Sequence, residues 1–143
     1  MLTKSPKETA KYAATLLTRG VRMFALQGEL GSGKTTFVQG LGKALGVREH
    51  LASPTFIIMN AHKAHSRRYP YTHLYHVDAY RLHHNKEADI LHLREILKNP
   101  RYVVAIEWAE KLRRFIPKGA QWLRFSHHKD PKKRTIKKGN MIH

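Results

Sequence analysis

The chain has 143 residues, 41% hydrophobic and 26% charged, which fits one soluble domain over 1–143 and excludes a second core or any bilayer-spanning run. It has no cysteine, which excludes disulfides and thiolate metal sites and suits a cytoplasmic protein. The net charge is +17, and the basic segment 127–143, with six Lys/Arg and one Asp, carries +5 of it. The basicity therefore extends over the body, either as a solvated surface or as attraction toward RNA, phosphates or an acidic partner.

The opening "MLTKSPKETAKY" lacks the apolar segment of a secretory signal. From Ser5 the spacing predicts a helix: Ser5 as N-cap, Pro6 at the first helical position and Glu8 closing an S-x-x-E box. Tyr12, Ala13, Leu16 and Leu17 share its apolar face, and Gly20 ends it. "VRMFALQ" (21–27) reads as a short apolar strand, "GELGSGKT" as a turn, and "TTFVQGLGKALG" as a helix closed by Gly46. "SPTFIIMN" passes from a Pro-restricted loop into a strand over 56–60.

The basic stretch "AHKAHSRRYPY" (61–71) reads as a hairpin connection to a strand over 72–80. "NKEADILHLREILKN" carries Ile90, Leu93, Ile96 and Leu97 at helical spacing. "YVVAIEW" is apolar on consecutive residues, as a buried strand is. "EKLRRFIP" reads as a short helix, and "QWLRFSH" with "RTIKK" as a last hairpin at the sheet edge. Strands alternating with helices predict an α/β fold, a mixed, mostly parallel sheet flanked by helices as in P-loop NTPases.

"GELGSGKT" fits G-x-x-x-x-G-K-[ST] at Gly28, Gly33, Lys34 and Thr35, with a strand before it and a helix after. In such a loop the glycines turn backbone N–H groups into one concavity that holds phosphate oxygens, and the helix dipole adds to them. Lys34 is then placed to reach the β- and γ-phosphates and Thr35 to give its hydroxyl to Mg²⁺. Guanine recognition asks for N-K-x-D after a strand. "NKEAD" (85–89) is one residue too long and opens a helix, which leaves ATP as the expected nucleotide.

Two acids compete for the metal. Glu107 ends the apolar run "VVAI", and ligands of open sheets collect at strand carboxyl ends, so Glu107 is expected to hold Mg²⁺ directly or through water. Asp78 lies in a more polar strand with His76 and Arg81 nearby. Alone it reads as a structural ion pair, and beside a γ-phosphate as the group that orders the attacking water, with Arg81 adding charge. His62, His65, His73, His76, His83 and His84 read as exposed histidines of a basic surface rather than as a zinc site.

"GELGSGKTTFVQGLGKALG", "SPTF" (53–56), "YHVDAYRL" (75–82) and "IEWAE" (106–110) follow one another in the order seen in the TsaE (YjeE-type) family. Over residues 5–136 the chain resembles these small P-loop ATPases of bacterial tRNA N6-threonylcarbamoyladenosine synthesis. The resemblance implies nucleotide contacts at Gly31, Ser32, Gly33, Lys34, Thr35 and Thr36, and Mg²⁺ ligation by Thr35 and Glu107. It implies that Asp78 assists hydrolysis, with Lys34 and Glu107 completing the catalytic set. It places Trp108 beside the site, Thr55 of the switch-like "SPTF" close to the nucleotide, Thr9 near the adenine and Arg134 on the nucleotide. It implies a Mg-dependent ATPase, weak alone, that resets a complex of TsaD and TsaB, with tRNA touched directly or through them. The basic stretch 61–71 is outside the family pattern.

Two other functions use the same residues. A small-molecule or nucleoside kinase would pass the γ-phosphoryl group to an acceptor, and a phosphorylated product would distinguish it. An RNA-binding module would keep the loop for phosphate contacts, with Tyr69, Tyr71 and Tyr75 stacking on bases and binding that falls steeply with salt.

Overall fold

The computed structural model of the chain describes residues 1–29, 31–51, 59–80 and 87–139. "SPTF" with Thr55, as well as Arg81, His83 and His84, lies outside the described residues. The chain runs β1 (Leu2–Thr3), α1 (Pro6–Thr18), β2 (Met23–Gly28), α2 (Lys34–Ala44), β3 (Met59–Lys63), β4 (His73–Asp78), α3 (Glu87–Lys98), β5 (Tyr102–Glu107), a 3₁₀ helix (Ala109–Phe115), β6 (Gln121–His127) and β7 (Arg134–Gly139). One seven-stranded sheet forms in the order β1-β7-β6-β2-β5-β4-β3. Its central strands β6, β2, β5 and β4 are parallel, and β3, β7 and β1 are antiparallel to their neighbours. The mixed α/β architecture matches the reading of the sequence.

α1 starts as its capping residues dictate. The Ser5 hydroxyl accepts the Glu8 N–H at 3.2 Å, while Glu8 Oε1 accepts the Lys4 N–H at 3.1 Å. Tyr12, Ala13, Leu16 and Leu17 are buried, as their spacing predicts. Alternation along the strands then sorts the core into two layers. Phe24, Leu26, Leu74, Val103, Ala105 and Phe125 pack beneath α1 and α2. Ala25, Val77, Val104, Ile106 and Trp122 pack against α3 and the 3₁₀ helix.

Phe37 anchors α2. It is fully buried, with ring centroids 5.5 Å from Phe24, 5.5 Å from Phe125 and 6.3 Å from Tyr12, all edge-on. Burying one such side chain contributes about 1.5–3 kcal/mol.

Three elements differ from the expectation. β3 begins at Met59 and runs to Lys63, three residues into the stretch expected to be a connection. His62 and Lys63 pair with Leu74 and His73, and the His62 side chain is buried with Nδ1 2.7 Å from Glu49 Oε1. β1, two residues long, is too short to leave a period in the sequence, yet it covers the outer side of β7. The β6–β7 hairpin forms, but β6 pairs parallel to β2 and so belongs to the sheet interior. No helix among the described residues is long and apolar enough to cross a membrane.

α1 and α2 touch at backbone distance. A Cβ at Gly40 would lie 2.5 Å from Ala10 Cα and 2.9 Å from its carbonyl oxygen. Gly40→Ala gains about 1 kcal/mol of helix propensity, but overpacking against backbone costs about 1–3 kcal/mol. The expected outcome is a net loss, read as a lower urea midpoint with an unchanged slope.

Candidate functional site at the carboxyl ends of three parallel strands

β2 ends at Gly28, and the chain turns through the glycine-rich loop into α2. Gly28 has φ +143, and a Cβ there would meet Phe125 O at 2.5 Å and Ser32 Oγ at 2.8 Å, so the loop closes only with glycine. Gly33, at φ +108, is the N-cap of α2 and has no side chain to cap it. The first turn of α2 holds no acid. The Phe37 N–H bonds Gly33 O at 3.0 Å, so the amides of Lys34, Thr35 and Thr36 have no acceptor within the helix. Amides at the positive dipole end of a helix are suited to an anion.

The two acids the sequence set against each other are neighbours. Asp78 pairs in register with Glu107, and Glu107 with Leu26 of β2, so three carboxyl ends stand level. Asp78 and Glu107 share the sheet face of Leu74 and Ala105, the face covered by α2. Asp78 is half-buried, and its Oδ1 accepts the Tyr80 N–H at 3.0 Å. His76, expected to be exposed, is fully buried, and its Nε2 hydrogen-bonds Glu107 Oε2. The alternation that puts Asp78 on this face puts His76 there too, one step deeper. It therefore meets Glu107 across the strand pair, and its Nδ1 is left buried without a partner.

Lys34 faces these acids. It is only 4% exposed, its Nζ donates to Gly28 O at 2.5 Å, and it sits 4.0 Å from the centre of the Trp108 ring. Burial pushes its ammonium below the ordinary value of 10.5, while Glu107, Glu110 and Asp78 pull the other way. Trp108 follows Glu107 in a left-handed conformation, φ 57 and ψ 38, which costs a non-glycine residue about 1–2 kcal/mol. Its ring also lies 5.2 Å from that of Tyr80.

Arg134 comes to the loop from β7: its Cγ is 3.3 Å from where a Gly33 Cβ would stand. Arg134 pairs in register with Thr3, whose hydroxyl meets that of Thr9 at 2.7 Å. Thr9 is 1% exposed and also donates to Ser5 O at 3.3 Å. The structure thus gathers Gly31 to Thr36, Asp78, Glu107 and Trp108, with Arg134 and then Thr9 on the β7 side.

A cleft of about 590 Å³ opens beside the loop, lined in part by Gln27, Glu110, Arg124, Ser126 and His127. The sequence reading missed Arg124, Ser126 and His127 because it placed β6 at the edge. Parallel pairing with β2 brings Arg124 level with Gln27. The buried Ser32 Oγ and Glu110 Oε1 have no hydrogen-bond partner.

A family model described as threonylcarbamoyl adenosine biosynthesis protein TsaE matches residues 3–136. Among curated proteins named tRNA threonylcarbamoyladenosine biosynthesis protein TsaE, the one from Nostoc sp. is 43% identical over 104 residues, 67% of this chain and 57% of that protein. The one from Streptomyces coelicolor is 42% identical over 105 residues, 73% and 67%. The one from Synechocystis sp. is 41% identical over 90 residues, 61% and 54%. The chain spans little more than half the length of the Synechocystis and Nostoc relatives. The crystal structure of YdiB from Bacillus subtilis superposes with a TM-score of 0.71, at 24% identity, over 99% of this chain and 84% of that one, a likeness of fold.

The buried Lys34 sets a pH dependence. The unfolded chain keeps this proton up to 10.5, whereas the folded chain releases it earlier, so stability rises with pH across that interval. Lys34→Met removes the contribution. In denaturant titrations between neutral pH and 10.5, the wild-type curve is expected to gain on that of the variant as pH rises.

Proposed function

Because the chain belongs to the TsaE family, we propose that it binds and hydrolyses ATP with Mg²⁺ in the tRNA N6-threonylcarbamoyladenosine machinery. On this reading it works in the cytoplasm and resets a complex of TsaD and TsaB homologues. The observation that carries the reading is the level of Asp78, Glu107 and Leu26 on adjacent parallel strands, with the buried Lys34 near enough to feel the charge of both acids.

The backbone amides of the first turn of α2 bind phosphate oxygens, and Ser32 Oγ, buried without a partner, gains one. Lys34 exchanges the Gly28 carbonyl for the β- and γ-phosphates, which pair its buried charge. Arg134, beside Gly33, is taken to reach the nucleotide, with Thr9 near the adenine and Thr55 close to the nucleotide. Trp108 closes the wall beside Lys34.

The donor set fits magnesium, which takes oxygen ligands from one or two protein groups and otherwise uses phosphates and water. Thr35 and Glu107 would hold it. When bound, it supplies positive charge against the phosphate oxygens. His76 holds one oxygen of Glu107 and so orients the carboxylate. Asp78, one strand over, orders the attacking water and accepts its proton.

The expected behaviour is slow release of free phosphate by the chain alone and faster release with TsaD–TsaB homologues and tRNA. Turnover indifferent to these partners, or a labelled phosphoryl group found on an acceptor, would contradict the reading. Asp78→Asn is expected to lower turnover by about a hundredfold or more with ATP binding retained, and Thr35→Ala and Glu107→Gln to weaken the Mg²⁺ dependence. Turnover and calorimetric binding, measured in parallel, check both.

A further inference from the structure

The end of the sheet away from the glycine-rich loop carries a second charged surface. α1 and α2 finish there, and β4 and β5 begin there. The connection between β3 and β4 is tied into this end from three sides. The N–H groups of His65 and Ser66 bond Leu45 O at 2.9 Å, the Tyr69 hydroxyl meets that of Thr18 at 3.2 Å, and the Thr72 N–H bonds Arg101 O at 2.8 Å. These contacts bring together six exposed cations: Arg19, Lys43, Arg48, Arg67, Arg68 and Arg101.

Of the chain's ten Asp and Glu residues, two, Glu49 and Glu95, lie on this half, and Glu49 is bound to His62. Among the described residues none of the six cations forms a salt bridge. The α2 dipole accounts for Lys43, in its last turn. It does not account for Arg67 and Arg68, which lie in the connection. Beside them the rings of Tyr69 and Tyr71 lie 15° from parallel with centroids 6.4 Å apart, and the Arg68 guanidinium is 5.7 Å from the Tyr69 ring.

We propose that this end of the molecule is an RNA-binding surface. The arginines take the phosphate backbone, and the Tyr69–Tyr71 pair gives an unpaired base a stacking face. Six cations spread across loops and helix ends suit a polyanion of repeated phosphates, because each neutralised phosphate releases a counterion. Aromatic rings next to such cations suit unpaired bases, which have faces to stack. An acidic protein would use the charges but not the paired rings. The surface stands apart from the glycine-rich loop, so RNA binding needs no nucleotide.

Fluorescence anisotropy with a labelled tRNA transcript, titrated without ATP over a series of salt concentrations, tests this. The wild-type chain is expected to bind with a steep salt dependence. Arg67→Ser with Arg68→Ser weakens binding about tenfold or more and makes the salt slope shallower by about two. Tyr69→Leu weakens it about tenfold. Lys137→Ser with Lys138→Ser, which removes the same charge from exposed positions on β7, changes binding less than about twofold, the smallest change expected of charges outside the contact. Equal losses in the two double variants would overturn the proposal, as would displacement of the RNA by polyglutamate or no binding of tRNA at physiological salt.

Discussion

Parallel pairing of β5 with β2 on one side and β4 on the other brings Leu26, Glu107 and Asp78 to one level of the sheet. The chemistry of the candidate site depends on this register. A slip of one residue in β5 would turn Glu107 to the opposite face and bury Ile106 among polar groups. What prevents the slip is the apolar run before the acid: Val103 and Ala105 fill the layer under α2, while Val104 and Ile106 fill the layer under α3. The core therefore aims the carboxylate.

The second fixed part is α2, whose first turn presents the amides and Lys34. Phe37 seats it on Phe24 and Phe125, and Gly40 lets α1 come against it at backbone contact. Between these rigid parts the structure holds several groups at some cost to its own stability. They are a buried ammonium, a buried histidine–glutamate pair and a tryptophan in a left-handed conformation. Strain and buried charge gather where β2, β4 and β5 end. The apolar layers and helix contacts offset it. On the proposed reading, a bound phosphate offsets the burial that disfavours the Lys34 ammonium.

Much of this was legible in the sequence because the signals were local. The spacing of Gly28, Gly33, Lys34 and Thr35, the Ser5–Glu8 box and the uninterrupted "VVAI" each state their structure within a few residues. The partners were not legible, because pairing across the sheet is a long-range choice. His76 looked like one more exposed histidine among many. Only the register of β4 on β5 sets it against Glu107. Arg124 and Ser126 belonged to an expected edge hairpin until parallel pairing of β6 with β2 brought them to the cleft. The connection before β4 reads as merely basic in sequence. Contacts with Leu45, Thr18 and Arg101 turn it into one face with two helix ends.

The two ends of the sheet differ in what surrounds their cations. The carboxyl ends of the central strands set acids beside Lys34 and a glycine-rich turn, with Arg124 and Arg134 next to them, and the opposite end gathers cations around two tyrosines. The account's central claim is that Lys34 leaves the Gly28 carbonyl and the Trp108 ring when a triphosphate enters. Trp108 reports on this directly, since Lys34 Nζ lies 4.0 Å from its ring centre, and the chain's other tryptophan, Trp122, can be replaced by phenylalanine. The most direct measurement is Trp108 emission in the Trp122→Phe protein titrated with Mg–ATP. The account predicts a saturable change that is absent from the same protein carrying Lys34→Met. Calorimetric binding of ATP with no change in Trp108 emission would contradict it.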